Sequence, residues 1–546
     1  MDQHEVLAIL TAKLRSGVIT RRQFLQAASF FGLGAAAVPM GTAAAPGSRT
    51  RGPRSMAQQE GAVRFLVAEA FWANWHPYLH TAQIQRRIEQ QIFDPLVRNE
   101  TTDFSTFSPG LAESWEPVDE LTWQFTLRQG VTFHNGQPFT GADVKASVEL
   151  ASGATAEEVS TASVLVPTTV EVVDDFTIRL TTATPFAPLL IQLATLPILS
   201  ADDIKPSADA ATPSAGIEAL KAAPNGTGPF RLATDEGDVK TMEANAGYWG
   251  GAPQIQTLIW EYIQDSQTRL NALLAGQAQA IDRVPPEHIP TLEGSDEIAL
   301  ISTTGFENVN LWIRQDAPPP WDNPKLREAV AWSIDREALV NSLVLGASEV
   351  STTHIPNHAL YAAPQEPVYT FDPERAQAAL AEAGLDAFPE VPLWGVTGFL
   401  PRGQQVAEAI ADSLQQVGFT VSLQVTDVAA IIDALFSEDK PGLMFHLSWS
   451  SNGDPHAALA TLYHSPGAWS GAHDPTIDEL IDTGAATTDP DARAQVYAEL
   501  QGYLWQNLPH IPLYNSDFTI AHQTALTGVT ALPNFMTFFD KASLGA

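Results

Sequence analysis

Cysteine is absent from all 546 residues of the chain. Its absence excludes disulfide bonds, thiolate metal sites and a cysteine nucleophile. It also excludes a lipid-modified cysteine at a processed N-terminus. A chain of this length is too long for one hydrophobic core, and we expect it to fold as two or three subdomains.

Basic residues are scarce. The sequence holds 29 Lys and Arg against 63 Asp and Glu, which gives a formal net charge of −34. This balance argues against nucleic acid and against anionic membrane surfaces as partners. We interpret the acidic excess as a solubilising surface, and it does not identify a cationic substrate.

Long apolar runs are equally rare, and the one that stands out lies near the N-terminus. Ala27 to Val38 is apolar and directly follows Thr20-Arg21-Arg22-Gln23-Phe24-Leu25-Gln26, which has the wording of a twin-arginine signal. The run is too short for a comfortable transmembrane helix. We therefore predict an export signal over residues 1–45, a disordered tether over 46–60, and a soluble mature protein at the periplasmic side or the outer face of the cytoplasmic membrane.

Motifs of catalysis are also missing. The sequence lacks Gly-x-Ser-x-Gly, His-Glu-x-x-His and a Walker loop, and Gly-x-Gly-x-x-Gly is missing from the mature part. His354 and His358 have the spacing of one helical turn, but Pro356 between them breaks that geometry. We predict no enzymatic activity, no cofactor and no metal site.

A β-rich segment followed by a helix is predicted between residues 111 and 149. Asn135-Gly136 is a strong turn signal, and Thr140-x-x-Asp143 resembles a capping box that opens a helix. Four apolar residues alternate with polar ones in the period of a half-buried strand: Leu121, Trp123, Phe125 and Leu127.

Local patterns predict an α/β organisation for the rest. Strands are expected at 226–232 and 256–262, and a helix at 266–276 with Leu270, Leu273 and Leu274 on one side. Residues 391–425 read as a β-α-β unit. An Asx residue before proline predicts three helix starts: Asn323-Pro324, Asp372-Pro373 and Asp489-Pro490.

Several of these stretches, in their order, resemble the peptide/nickel-type (family 5) solute-binding proteins of bacterial ABC importers. The resemblance covers nearly everything after about residue 62. Several motifs in the expected order are more specific evidence than any single motif. They are LAESWE, LTWQFTLRQGVTFHNGQPFTGADV, Asn225-Gly226-Thr227-Gly228-Pro229-Phe230, Tyr248-Trp249-Gly250-Gly251-Ala252-Pro253, Asp322-Asn323-Pro324-Lys325-Leu326-Arg327, Ser333-Ile334-Asp335-Arg336 and Phe371-Asp372-Pro373-Glu374.

The resemblance implies an α/β, two-lobed periplasmic-binding-protein fold of type II with an extra β-rich subdomain in lobe 1. The chain should cross between the lobes at least twice, which makes a hinge. The expected bounds are 61–91, 196–285 and 508–546 for the main subdomain of lobe 1, 92–195 for its extra subdomain, and 286–507 for lobe 2.

The resemblance also implies a ligand site in the cleft, and one departure bears on the ligand. Peptide binders of this family place an aspartate four residues before the proline of the loop that matches 449–455, where it pairs with the ligand's α-ammonium group; this chain has Ser451 there. Asp454 is expected to be structural and to bond the turn's own backbone. The expected cleft residues are Trp72, Asn74, Trp75, His76, Asn310, Trp449, Ser451, Asn452 and Trp469.

The implied function is capture of a peptide-like or other small organic solute and its delivery to a membrane permease. We expect a monomer that binds no nucleic acid. A binder of a chelated metal or of an oligosaccharide is the alternative within the same class. A secreted hydrolase is the alternative from another class.

Overall fold

The structure is a computed structural model. It describes residues 61–71, 74–79, 83–99, 104–152, 165–205, 215–315, 317, 321–346, 348–385, 388–396, 402–426, 430, 443–450, 453–465, 470–471 and 473–545, with the backbone alone at 215, 304–306 and 443–450. The predicted export signal and tether, together with Trp72, Ser451, Asn452 and Trp469, lie outside the described residues.

Helices and strands alternate along most of the chain. The strands are β1 (Ala62–Val67), β2 (Val97–Arg98), β3 (Ser108–Pro109), β4 (Ala112–Pro117), β5 (Thr122–Leu127), β6 (Thr168–Asp174), β7 (Thr177–Thr182), β8 (Phe230–Asp235), β9 (Val239–Ala244), β10 (Thr257–Tyr262), β11 (Ala280–Ile281), β12 (Ile298–Ile313), β13 (Ser348–Val350), β14 (Glu390–Val396), β15 (Thr420–Thr426), β16 (Leu443–Ser450), β17 (His510–Gln523), β18 (Leu526–Thr527), β19 (Thr530–Ala531), β20 (Thr537–Phe538) and β21 (Ser543–Leu544). The α-helices are α1 (Gln83–Glu89), α2 (Gly141–Ala151), α3 (Leu189–Thr195), α4 (Ala215–Ala222), α5 (Ser266–Leu274), α6 (Ile289–Glu293), α7 (Pro324–Trp332), α8 (Arg336–Ala338), α9 (Pro373–Glu382), α10 (Gly403–Val417), α11 (Pro455–Leu462), α12 (Pro475–Ala486) and α13 (Pro490–Asn507).

One sheet of eleven strands runs through the whole molecule. Its order is β15-β14-β16-β12-β17-β11-β1-β10-β9-β8, and β13 pairs with β17 beside this path. The long strands β12 and β17 hold the two halves together. Residues 298–303 pair with 518–523 in the half that contains β1, and residues 307–313 pair with 510–516 in the half that contains β16.

Two adjacent strands therefore carry the chain from one half to the other. Bending both strands would tilt one half against the other, as at a hinge. The register between β12 and β17 shifts between Thr303 and Glu307. Each of these strands belongs to both halves, so the domain bounds given above stay a prediction. We call the half with β1 lobe 1 and the half with β16 lobe 2.

A separate four-stranded sheet, in the order β4-β5-β7-β6, forms the extra subdomain. The predicted alternation is confirmed in the second half of β5, where Phe125 and Leu127 are buried and Thr126 between them is exposed, whereas Trp123 is half-buried like its polar neighbours. The predicted capping box is also present: the Thr140 N–H donates to the Asp143 carboxylate at 2.8 Å, and α2 starts at the next residue.

Lobe 2 follows its local sequence signals closely. The β-α-β unit is confirmed, with β14 parallel to β15 and α10 packed between them. Five helices begin with proline directly after an Asx cap, including the three predicted ones. In all five the cap oxygen accepts a backbone N–H of the first turn: Asn323, Asp372, Asp454, Asp474 and Asp489.

Two details of the prediction were wrong. Residues 226–229 are a loop and the strand begins only at Phe230, because the chain there packs directly on another backbone segment. Leu274 is 56% exposed, whereas Leu270 and Leu273 are buried. One residue is a turn of about 100° around a helix, so Leu274 leaves the apolar side that its neighbour shares.

Two of the stretches that carry the family resemblance, 225–230 and 248–253, meet at one buried carboxylate. Asp94 accepts hydrogen bonds from Thr227 Oγ1 at 2.9 Å, Trp249 Nε1 at 2.8 Å and Tyr248 Oη at 3.1 Å. Arg98 adds an ion pair at 2.6 Å. These motifs therefore join the extra subdomain to the rest of lobe 1, and they act as scaffold.

Replacing Gly226 with alanine should destabilise this joint by about 2 kcal/mol or more. A Cβ at Gly226 would lie 2.0 Å from the carbonyl oxygen of Ile92, and backbone cannot move aside as a flexible side chain can. Urea unfolding would measure the loss. Gly247→Ala is the matched control, since its Cβ would meet only Asn245 Oδ1 at 3.6 Å; equal stability of the two variants would contradict the prediction.

Candidate functional site

The candidate site lies at the crossover, where β12 and β17 pass from lobe 1 to lobe 2. Asn308 on β12 is paired with Asn515 on β17 and with Trp449 on β16. Directly opposite residues share a face of a sheet. The ladder therefore lines up these three positions as one row.

Each asparagine at the crossover uses one end of its amide for the fold. Asn308 Oδ1 accepts from Ser351 Oγ at 2.8 Å, and Asn515 Oδ1 accepts from the Asn357 N–H at 3.1 Å. Asn310 Nδ2 donates to the Asn308 carbonyl at 3.1 Å. The opposite amide atoms, Nδ2 of Asn308 and of Asn515 and Oδ1 of Asn310, are buried and have no hydrogen-bond partner among the residues that the structure describes.

A charged trio lies next to this row. Arg283, which follows β11, donates to Glu69 Oε1 from Nε at 3.1 Å and from Nη2 at 2.8 Å. Its Nη1 lies 3.8 Å from Oε2 of Glu307 on β12. Burial by itself lowers the pKa of Arg283, but the two carboxylates outweigh burial and the pKa is raised. The guanidinium is therefore a fixed cation already paired with two anions.

A buried ion pair supports the lobe 1 side of the crossover. Arg87 Nη1 lies 2.7 Å from Asp282 Oδ2, and both side chains are almost fully buried. Asp282 Oδ1 also accepts from the Ala68 N–H at 2.9 Å, directly after β1. Three aromatic rings surround the Arg87 guanidinium at 4.9–5.7 Å: Phe65, Trp260 and Phe518. This pair fixes the chain that leads into Glu69.

The expected residues of the loop after β1 lie inside lobe 1. Trp75 Nε1 donates to Asp235 Oδ2 at 2.9 Å, and Lys240 lies 5.5 Å from the centre of its ring. Asn74 Oδ1 accepts from the His76 N–H at 2.9 Å, and all three side chains are buried. Among the expected residues, the structure brings Asn310 and the backbone of Trp449 together at the crossover, while Asn74, Trp75 and His76 belong to the lobe 1 interior.

Asp454 has the structural role expected of it, together with one that the sequence did not indicate. Its Oδ1 caps α11 by accepting from the His456 N–H at 2.9 Å. Its two oxygens also pair with Arg493 of α13, at 2.6 and 3.0 Å, and both side chains are almost fully buried. Burial acts to lower the pKa of Arg493, but Asp454 outweighs it and the pKa is raised. The predicted site loop is thus anchored to the last helix of lobe 2.

His354 and His358, the pair with the spacing of one helical turn, have different partners. His354 Nε2 donates to the His510 carbonyl at 3.2 Å inside lobe 2, whereas His358 is exposed and lies 2.9 Å from Glu349 Oε1. Burial lowers the pKa of His354 to about 3. Within the described ranges no group of three or more His, Asp or Glu side chains could hold a metal ion, and no helix there has the length and apolar character to cross a membrane.

Sequence reasoning missed Glu69, Arg283, Asn308 and Asn515. Asn308 lies two residues from the predicted Asn310, so strand alternation on β12 could have indicated it. Asn515 lies in the segment 508–546, which the sequence assigns to lobe 1. Its pairing with Asn308 depends on a register over more than 200 residues of chain, which no local pattern specifies.

Comparisons with known proteins agree with this architecture. Residues 106–470 match the model of "Bacterial extracellular solute-binding proteins, family 5 Middle". The glutathione-binding protein GsiB of Salmonella typhi is 29% identical over 454 residues, which cover 80% of this chain and 85% of that one. A dipeptide-binding protein of Pseudoalteromonas sp. SM9913, solved with Met-Leu, superposes with a TM-score of 0.77 at 21% identity over 88% of this chain and all of that one. AgaA of A. tumefacien R10, solved with agropinic acid, superposes with a TM-score of 0.73 at 25% identity over 89% of this chain and 99% of that one.

The fold defines the chain as a two-lobed extracytoplasmic binding protein, and the family match covers more than half of it. The chain belongs to the family 5 bacterial extracellular solute-binding proteins. Three predictions are confirmed: the family, the α/β two-lobed fold, and the function as a solute-binding component of an ABC importer.

Proposed function

We propose that the protein is the substrate-binding component of an ABC importer that captures a peptide-like solute between its lobes and presents it to a membrane permease. It acts by binding alone, as a monomer and without a cofactor, and the ATPase subunits are other chains. A relative named as a glutathione-binding protein supports a small peptide-like solute over a metal chelate or an oligosaccharide.

The observation that carries capture by closure is a contact between the extra subdomain and lobe 2. The Ala187 N–H donates to the Ala485 carbonyl at 2.7 Å. Phe186 packs edge-on against His456 with 5.4 Å between ring centres. A Cβ on Gly453 would lie 2.2 Å from the ring of Phe104, so only glycine admits that ring. A solute that touches both lobes stabilises this arrangement over an open one.

A disulfide pair tests capture by closure. Ala187→Cys with Ala485→Cys introduces the only two cysteines of the chain, and backbones joined by a hydrogen bond hold their Cα atoms within the about 4.4–6.8 Å that a disulfide spans. We expect an N-acetylated casein digest to raise the rate of disulfide formation under copper-phenanthroline, measured on non-reducing gels.

The control pair is Thr527→Cys with Ser543→Cys, two facing residues of β18 and β21 whose hydroxyls lie 3.0 Å apart within lobe 1. Its rate should not respond to the digest. If the acetylated digest binds in calorimetry and yet the Ala187/Ala485 pair forms at one rate with and without it, the ligand does not drive this contact and closure is not the capture step.

Ser451 supports a narrower proposal, that the solute does not carry a free amino terminus. A buried ammonium group needs a charged partner, and a serine hydroxyl can accept a hydrogen bond but cannot neutralise the charge. Calorimetry with a peptide mixture before and after N-acetylation is the test. Micromolar binding that acetylation abolishes would show that another acid, such as Asp427, replaces the missing carboxylate.

Export by the twin-arginine route is the third part of the proposal. Replacing both Arg21 and Arg22 with lysine should leave the protein inside the cell, because the guanidinium pair has a donor geometry that an ammonium group lacks. Immunoblots of periplasmic and cytoplasmic fractions measure the outcome. Replacing Arg51 and Arg54, which lie beyond the predicted export signal of residues 1–45, with lysine is the control and should leave export unchanged.

A further inference from the structure

The fold fixes the orientation of two of the amides at the crossover, those of Asn515 and Asn310. An asparagine amide can be turned either way unless its bonds distinguish oxygen from nitrogen. Asn515 Oδ1 accepts from a backbone N–H, which can only donate, so Nδ2 is the free end. Asn310 Nδ2 donates to a backbone carbonyl, which can only accept, so Oδ1 is its free end.

A native protein leaves few buried polar atoms without a partner, because each costs free energy comparable to a lost hydrogen bond. Here two donors and one acceptor fall within one stretch of two neighbouring strands: Asn308 Nδ2, Asn515 Nδ2 and Asn310 Oδ1. All three side chains are at least 97% buried, at 3%, 0% and 2% exposure. Such a cluster is expected where a bound molecule supplies the missing partners.

We propose that the amides of Asn308, Asn310 and Asn515 bind the solute through uncharged peptide groups. Asn308 and Asn515 donate to carbonyl oxygens of the solute, and Asn310 accepts from one of its N–H groups. This assignment rests on the proposed function and names its ligand class, which is a small peptide recognised along its backbone.

The polarity of the row favours the same class. Asn308 and Asn515 present amide donors, and a solute ammonium group, which only donates, cannot satisfy them. Arg283 is no counter-ion for a solute carboxylate at the row, because Glu69 and Glu307 already hold it. Glu307, the neighbour of Asn308 on β12, also lies on the opposite face of the strand. Neutral carbonyl and N–H groups meet neither obstacle.

The test uses aspartate, which keeps the acceptor oxygen that the fold requires and removes the donor. Asn308→Asp and Asn515→Asp retain the bonds from Ser351 and Asn357 but turn each free donor into a carboxylate. The probe is a library of N-acetylated dipeptide amides, with binding measured by native mass spectrometry and calorimetry. We expect each variant to bind about tenfold more weakly or worse than the wild type.

Asn323→Asp is the matched control, since it changes an asparagine that caps a helix of lobe 2 and keeps the cap. Asn308→Leu is a second, uncharged variant in case a buried carboxylate prevents folding, which circular dichroism would reveal. If the Asn308 and Asn515 variants bind the library as strongly as the wild type does, the assignment is wrong. Ordered water is then the hydrogen-bond partner of these amides. No wild-type binding to peptides of any kind would instead reject the proposed function, and the assignment with it.

Discussion

Replacing Arg493 with methionine is expected to lower the free energy of unfolding by about 3–5 kcal/mol. The Asp454 carboxylate is 3% exposed and receives two hydrogen bonds from this guanidinium, at 2.6 and 3.0 Å. Without Arg493 a buried negative charge has lost its partner. Arg493 also donates to the Gly484 carbonyl at 2.7 Å and to Tyr497 Oη at 3.0 Å, so α11, α12 and α13 lose a shared anchor.

Urea unfolding followed by tryptophan fluorescence would measure this loss. Arg231→Met is the control, because its ion pair with Glu243 is long, at 3.9 Å, and both side chains are more than half exposed; we expect a change within about 0.5 kcal/mol. The double variant Asp454→Asn with Arg493→Met should recover part of the loss, since no unpaired charge remains. A loss below about 1 kcal/mol in the single variant would mean that water reaches Asp454 in solution.

The fold was predictable where one short stretch of sequence decides the structure. The Asx-Pro helix starts are an example, because Asp372 and Asp489 cap N–H groups only three residues away. The strand β5 is another example, since the alternation of apolar and polar residues is enough to identify which face of the strand is buried. In each case the residues that cause the structure are neighbours in the chain.

The site was far less predictable, because its residues meet only through the fold. Asp454 was correctly expected to bond its own turn, but its partner Arg493 is 39 residues away and carries no local sign of the contact. Trp75 looks like a cleft aromatic in a loop rich in Trp and His. Asp235, 160 residues away, holds its indole N–H inside lobe 1 instead. The pairing of Asn308 with Asn515 depends on strand register, which no local sequence pattern specifies.

Acid should destabilise the protein through the buried histidines of lobe 2. Burial lowers the pKa of His354 to about 3, and the pKa of His510 also lies well below its ordinary value because of burial. In the unfolded chain a histidine has a pKa of about 6.5. As pH falls below that value the unfolded state takes up a proton that the folded state does not, so stability is complete above about pH 6.5 and is lost on acidification.

For His354 alone this linkage amounts to roughly 2–3 kcal/mol between pH 6 and pH 4. His354→Gln should therefore lose less stability than the wild type between pH 6 and pH 4, and the difference should equal this amount. The variant nevertheless starts from a lower stability at pH 7. Tyr463→Phe is the control, since its ring packs against both histidines, at 5.6 and 5.1 Å, and phenylalanine does not titrate. Urea unfolding at pH 6, 5 and 4 gives the slopes. Equal slopes for His354→Gln and the wild type would show that His354 is protonated in the folded protein, and hence that water enters the core between β17 and α11.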